Sequence, residues 1–331
     1  MIYTITIYSV IIFIIIFSLT KISYNYNLVD IPNKRKKHFK PTAYIGGLAI
    51  SVSLIISIQL FEVVGDNLNL ILSIGFMMAI VGFIDDRFKL NIGGKLSLQI
   101  IPIFYLIVIE NISLAQLGDY NQFQLKLNSF AVPFTLMCVL LLINAFNYFD
   151  GMDGTLSLSS ISTLTILYFL VPSENIKLLI MTIILPIFIF LIFNFSLFNL
   201  PKLFLGDSGS LLLGFIISFI LIDIANQNLV HPILLAWSIA IFVYEFLAIN
   251  LQRLRNKKNL FTPGLDHLHH IIFEKTKSIF LTNFSISATN IIFFIVGYLS
   301  FRFINPLTSL ILFIIFFIIF ILLRQKLLNY K

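Results

Sequence analysis

The chain has 331 residues, 59% of them hydrophobic and only 11% charged, whereas a soluble domain carries about 25% charged residues. Runs such as Ile11 to Phe17 and Ile311 to Leu323 hold no charge, which excludes a soluble globular protein and leaves a polytopic membrane protein. The excess of 22 Lys and Arg over 15 Asp and Glu reads as membrane topology, so no nucleic-acid partner is expected. The single Cys138 lies in an apolar run, which leaves neither a disulfide framework nor a cysteine metal site.

The rule that about 20 apolar residues cross a bilayer places spans at 2–19, 45–62, 68–84, 96–110, 129–146, 155–171, 177–194, 209–225, 231–250, 279–301 and 307–323. The first has no basic residues ahead of it and no small-residue cleavage site, and reads as a retained span. The expected fold is all-α, a single transmembrane domain over 1–331 with about eleven helices, its active site formed by loops and helix ends on one side. Of the 22 basic residues, 19 fall on one side, Arg253 and Arg324 among them, and only Lys126, Lys177 and Arg302 on the other. The positive-inside rule makes the first side, and the C-terminus, cytoplasmic. That side also gathers four of the five His and the clustered acids Asp85, Asp86, Asp150, Asp153 and Asp207, whereas the opposite loops carry scattered polar residues without pattern. Ionisable groups gathered at a membrane boundary mark a functional site.

The first of these loops runs from Asp30-Ile-Pro-Asn through the basic run Lys34 to Lys37 and His38 to Lys40-Pro-Thr42, then Gly46-Gly47. The basic run is equally well read as an anchor on anionic lipid. Lys40 and Thr42 ahead of a glycine pair that opens a helix suit an anion held by backbone N–H groups. Asp85-Asp86 end an apolar span, with Lys95 ten residues beyond Asp85. Two adjacent carboxylates there repel each other unless a cation or proton offsets them, which favours Mg²⁺ binding or general-base work. In Asn144-Ala-Phe-Asn147-Tyr-Phe-Asp150-Gly151-Met-Asp153-Gly154 the polar residues recur every three positions, so they form one polar wall of a span, and the glycines let it break near a ligand. Phe204-Leu-Gly206-Asp207-Ser208-Gly209-Ser210 opens the next helix. Asp207 serves there either as a cap or as a Mg²⁺ ligand beside a phosphate at the helix N-terminus. The last loop, Arg253 to His270, carries Phe261, Pro263, Asp266 and the histidines His267, His269 and His270. With no Cys and no fourth ligand, hydrogen bonding to a phosphorylated or hydroxyl-rich ligand fits these better than zinc.

Taken in order, these motifs resemble the polyprenyl-phosphate N-acetylhexosamine-1-phosphate transferase superfamily, within the glycosyltransferase 4 grouping. The resemblance runs from Asp30 to His270. It implies transfer of a HexNAc 1-phosphate, most simply GlcNAc 1-phosphate, from a UDP-sugar to undecaprenyl or another polyprenyl phosphate, with release of UMP, as the first membrane step of a cell-surface polysaccharide such as O-antigen or teichoic acid. By this resemblance Mg²⁺, with Mn²⁺ as the alternative ion, binds Asp207 and Asp85. Asp85, Asp86, Asp150 and Asp207 form the catalytic carboxylate set, and Asp86 joins Asp85 at the acceptor phosphate. Lys40, Thr42, Lys95, Asn144, Asn147, Asp153 and Phe204 hold donor and phosphates, with Phe204 stacking on uracil. His267, His269 and His270 look like the carbohydrate-recognition loop of the GlcNAc-type branch. The implied site lies on the cytoplasmic face of a bacterial plasma membrane, and the partners are the two substrates, membrane lipid and, in one reading, a second copy.

Two positions depart from the family pattern: Gly264-Leu265 follow Pro263 where the family has Asp-Arg, and Glu245 stands where it tends to have Asp. A phospho-N-acetylmuramoyl-pentapeptide transferase, or a transferase for another UDP-amino sugar, is the rival on the same fold. A transporter or flippase is the rival of another class, although its ionisable groups would lie near the midplane. Direct attack by the lipid phosphate and a covalent Asp intermediate both remain open.

Overall fold

Apolar runs surrounded by lipid leave the backbone no hydrogen-bonding partner but itself, so they close into helices. The structure, a computed structural model, describes residues 2–32, 40–61, 65–257, 264 and 266–329. Asn33, Lys34 to Lys37, His38, Phe261, Pro263 and Leu265, named above, lie outside the described residues. In chain order the helices are α1 (Ile2–Asn25), α2 (Gly46–Phe61), α3 (Asp66–Phe88), α4 (Ile92–Phe104), α5 (Ala131–Phe149), α6 (Thr155–Leu170) and α7 (Glu174–Asn194). They continue with α8 (Gly206–Asn226), α9 (Pro232–Ser238), α10 (Ala240–Arg255), α11 (Leu268–Thr276), α12 (Ile279–Phe303) and α13 (Pro306–Asn329). Among the described residues eight helices are long and apolar enough to cross a membrane, and the bent pair α9–α10 makes a ninth. The other two expected spans fall on α2 and α6, apolar helices of 16 residues each. The protein is an all-α, multi-pass membrane protein.

Helix α8 is the axis of the bundle. Every residue from Ser208 to Ala225 is buried, as expected of a helix apolar on all sides, and α3, α5 and α2 pack around it. Small residues set the closeness of this packing. A Cβ at Gly47 would run into the Gly209 backbone, and one at Gly82 into that of Asp207 and Ser208. The start of α2 and the end of α3 are thereby pressed against the first turn of α8.

The span expected over 231–250 is not straight: α9 and α10 meet at 72°. At the break the Ser238 carbonyl accepts from Thr163 Oγ1 at 2.9 Å and from Asn290 Nδ2 at 3.1 Å. Side chains of α6 and α12 thus take over hydrogen bonding that a continuous helix would supply, which is what allows a break at membrane depth.

Among the described residues there are also two short antiparallel ribbons. Val29–Asp30 (β1) pairs with Thr42–Ala43 (β2), and Gln116–Asp119 (β3) with Gln124–Lys126 (β4). Around the first, Phe204 N–H donates to the Ala43 carbonyl at 2.8 Å, Gly46 N–H to that of Phe204 at 3.0 Å, and Gly47 N–H to that of Leu205 at 2.8 Å. The loop before α2 is thereby sewn to the loop before α8.

Candidate active site

Asp207 lies in the first turn of α8 and organises the site. Its Oδ2 receives Lys95 Nζ at 2.5 Å, and its Oδ1 receives Asn147 Nδ2 at 3.0 Å. Lys95 Nζ also reaches Oδ2 of Asp85 at 2.8 Å, so one ammonium bridges two carboxylates. The turn between α3 and α4 explains how a lysine ten residues on returns to Asp85. Lys89 adopts a left-handed conformation with φ 52°, and Leu90 N–H donates to Asp85 Oδ1 at 3.0 Å. Asn91 then caps α4 by accepting from Gly94 N–H at 2.7 Å, which places Lys95 in the first turn.

Asp86 acts differently from its neighbour. Its Oδ2 accepts from the Ser208 N–H at 3.3 Å, so a carboxylate from α3 occupies the positive end of α8. A Cβ at Gly206, where φ is +74°, would collide with the Tyr44 carbonyl and the Asp86 carboxylate. This residue has to be glycine on both conformational and steric grounds.

Helix α5 brings Asn147, whose Nδ2 also donates to Ser210 Oγ at 2.9 Å. Asn144, one turn earlier, instead donates to the Leu140 carbonyl of its own helix at 2.7 Å, so the expected polar wall is partly turned back on the helix. Beyond the end of α5, Asp150 is held well above the usual carboxylate range, first by burial and then by the charges of Asp207, Asp86 and Asp153. Asp153 accepts from Lys202 Nζ at 2.6 Å, and its carbonyl accepts from Asn283 Nδ2 at 2.9 Å. The Lys202 ammonium lies 5.6 Å from the centre of the half-buried Phe204 ring. Lys40 is exposed, whereas Thr42 is buried with its hydroxyl donating to the Lys40 carbonyl at 3.0 Å. That hydroxyl is committed to shaping the loop rather than offered outward as a donor.

The three histidines lie at the start of α11 and part company in burial. His269 is 1% exposed, and its Nε2 has no hydrogen-bond partner in the structure. A Cβ at Gly151 would strike its ring, so Gly151 is what lets the histidine helix dock beside Asp150. His267 and His270 are half-buried. The His267 ring packs edge-on against Tyr148 at 5.0 Å, and His270 is 4.2 Å from His269. Burial pulls the His267 imidazole down to about 4, against the opposing charge of Asp266, and burial also holds His269 well below its ordinary value. Both are neutral at pH 7.

The structure therefore gathers Asp85, Asp86, Lys95, Asn147, Asp150 and Asp207 in one place, extended by Asp153 and Phe204 on one side and by the histidines across Gly151. Sequence reasoning gave no site role to Ser210, Lys202, Asn283, Tyr148, Asp266 or Arg324, and noted Glu245 only as a departure from the family pattern. Glu245 and Asn283, polar residues inside apolar runs, were the available signal. Arg324 gave none, because it reads as one more topology charge.

A model of glycosyl transferase family 4 matches residues 68–225, the stretch from α3 through α8 that carries the acids. The chain is 29% identical over 264 residues to the undecaprenyl-phosphate alpha-N-acetylglucosaminyl 1-phosphate transferase of Yersinia pestis, covering 78% of this chain and 72% of that one. It is 28% identical over the same shares to the enzyme of that name in Escherichia coli strain K12. A probable undecaprenyl-phosphate N-acetylglucosaminyl 1-phosphate transferase of Bacillus subtilis is 27% identical over 76% of this chain and 71% of its own length. The match falls on the helices that converge at Asp207, and the similarity to these transferases extends over most of the chain: the chain is similar to glycosyl transferase family 4 and to its undecaprenyl-phosphate N-acetylglucosaminyl 1-phosphate transferases.

Proposed function

We propose that the chain transfers a HexNAc 1-phosphate, GlcNAc 1-phosphate in the first instance, from a UDP-sugar to undecaprenyl phosphate at the cytoplasmic face of a bacterial plasma membrane, releasing UMP. The observation that carries the reading is the bridging of Asp85 and Asp207 by Lys95 at the N-terminus of a helix buried from Ser208 to Ala225. Both substrates are anionic, so charge repulsion and positioning dominate the barrier. A helix N-terminus, a lysine and a cation held by carboxylates lower both.

The groups that bind Lys95 are the carboxylate oxygens of Asp85 and Asp207, ligands of the kind that suit a hard cation. Among the described residues no three His, Cys, Asp or Glu side chains form a complete metal cage. An ion here would therefore need substrate phosphates to complete its shell, as Mg²⁺ commonly does when one or two carboxylates bind it. Asp207 and Asp85 would hold the ion, whose charge would offset that of the two phosphates. Lys95, already bound to both carboxylates, would supply a second positive charge. Asp86, tied to Ser208 N–H, would keep the first turn of α8 in place for the donor phosphates, and Asp153 with Phe204 would border the nucleotide. The neutral histidines would hydrogen-bond the sugar without adding charge.

The test is incubation of membranes containing the chain with radiolabelled UDP-GlcNAc and undecaprenyl phosphate, with Mg²⁺ and with EDTA. Lipid-linked radiolabel that requires the metal is expected. The reading fails if neither UDP-GlcNAc nor UDP-GalNAc gives product while another donor does, and the metal assignment fails if turnover persists undiminished in EDTA.

A further inference from the structure

Helix α11, which carries the histidines, is seated by a buried ionic network outside the group of reacting residues. His267 precedes the helix, so the Leu268 N–H has no partner within it. Glu245 of α10 supplies one, its Oε1 accepting at 2.7 Å. The other carboxylate oxygen accepts from Nε of Arg324 at 3.0 Å. One terminal nitrogen of that arginine donates to Gln252 Oε1 and the other to the Asp266 carbonyl, immediately before His267. The Asp266 carboxylate in turn receives Arg253 Nη2 at 2.9 Å and Nε at 3.2 Å. A Cβ at Gly264 would run into Asp266 Oδ1 and so displace that carboxylate from the pair.

Arg324 comes from α13, a helix whose Ile311, Ile314, Ile318 and Leu322 are exposed and which otherwise faces lipid. A cation near the end of such a helix would ordinarily snorkel to water. Here it turns inward instead: Arg324 is 2% exposed and Glu245 1%. Desolvating a charge pair is weak as a source of stability, so its value lies in what it orients. The acceptors it holds all belong to the seat of α11. From that seat the contacts run straight to the acidic site, through His267 on Tyr148 and His269 on Gly151.

We infer that Arg324 and Glu245 are positioning residues, through which the C-terminal helix sets the placement of His267, His269 and His270 against the donor sugar without either residue touching substrate. This rests on the UDP-sugar reading above. Loss of the pair lets α11 shift, which weakens donor capture and leaves the lipid acceptor site unaffected.

The experiment uses the full chain purified in nanodiscs, with Arg324→Lys, Arg324→Gln, Glu245→Gln and the double variant Glu245→Gln with Arg324→Gln. The double variant leaves no lone charge buried and so keeps the fold where a single one could lose it. Steady-state kinetics are run against UDP-GlcNAc and undecaprenyl phosphate separately, alongside hydrogen exchange. The double variant should raise the donor KM tenfold or more, leave the acceptor KM within twofold, and lose exchange protection over residues 267–276 but not over α8. Arg324→Lys keeps the charge but not the planar fork, and should share the donor defect in milder form.

The inference is overturned if the double variant leaves donor KM and 267–276 protection unchanged. It is also overturned if both KM values, kcat and protection throughout the chain deteriorate together, the mark of mere support of the fold. Should the wild type convert no UDP-sugar, the functional reading is what fails, and the exchange pattern alone decides whether the pair seats α11.

Discussion

The two ends of helix α8 carry comparable residues and treat them differently. At its N-terminus Asp207 lies among Asp85, Asp86 and Asp150, four carboxylates with one ammonium, that of Lys95, bridging two of them. At its C-terminal end Asp223 is buried, 4% exposed, and its Oδ2 accepts from Gln227 Nε2 at 2.6 Å. Close by, Asn226 Nδ2 donates to the Ser113 carbonyl at 2.9 Å. The far end is a closed set in which acids answer to amides. The near end crowds carboxyls around one bridging ammonium, so that Asp150 is held toward its protonated form, an arrangement that costs stability and is kept where a substrate or metal completes it.

The largest expected effect follows from that contrast. Asp207→Asn should lower transfer of radiolabel to lipid about a thousandfold, in line with the loss of one preorganised charge in a phosphate site. Asp223→Asn should leave turnover within about twofold and cost about 1 kcal/mol of stability, the worth of one hydrogen bond. Comparable losses of turnover from the two variants would erase the distinction between the ends.

Next come the close approaches that hold the near end together. Gly47→Ala puts a methyl group into the Gly209 backbone, whereas at Gly75, halfway along α3, it would meet the side chain of Ile216 at 3.0 Å. Backbone cannot yield and a side chain can, so Gly47→Ala should cost about 2 kcal/mol or more and most of the activity. Gly75→Ala should lower the melting temperature by a few degrees at most. Thermal unfolding in detergent, read beside turnover, checks both.

This difference also explains what the sequence discloses. Asp85-Asp86, Asn147, Asp150 and Asp207 stand at helix ends beside Gly82, Gly151 and Gly206, so residue type and spacing reveal both the charge and the close approach. The apolar runs disclose the helices for the same reason: burial in lipid demands uninterrupted stretches. The pairing of Arg324 with Glu245 is 79 residues apart in the chain, and nothing local distinguishes that arginine from the other basic residues. The bend between α9 and α10 is equally silent, because the Thr163 and Asn290 side chains that sustain it belong to distant helices. Thr42 and Asn144 look like ligand donors by composition, yet each finds a carbonyl within four residues, a competition that composition does not reveal.

A smaller effect is expected from acid. Burial holds His267 down at about 4 and His269 well below its ordinary value. Between 6.5 and the folded value the unfolded chain takes up protons that the native loop refuses, so stability is complete above about pH 6.5 and is lost as pH falls. Hydrogen exchange over 267–276, corrected for its intrinsic pH dependence, should accelerate between pH 7 and pH 5. The C-terminal half of α8 should not change. Uniform acceleration along the chain would show that the histidine helix is not the acid-sensitive element.

The smallest effect belongs to the far end and its histidine. His231 Nδ1 accepts from the Ile233 N–H at 3.2 Å and so caps α9, while its Nε2 lies 2.9 Å from the Asp119 carbonyl. Those partners fix one tautomer: Nδ1 must be bare to accept, so Nε2 carries the proton and donates. The ring joins α9 to the β3–β4 ribbon and rests against Tyr120 and Phe301, each 5.2 Å away. All of these contacts are internal, and none leads toward Asp207. His231→Ala should therefore cost about 1–2 kcal/mol, as the loss of a helix cap does, with the KM values for both substrates unchanged. His231→Asn keeps an acceptor for the Ile233 N–H and should recover most of the stability. A raised KM in either variant would mean that the closed end communicates with the open one, and the separation of α8 into two differently used ends would have to be given up.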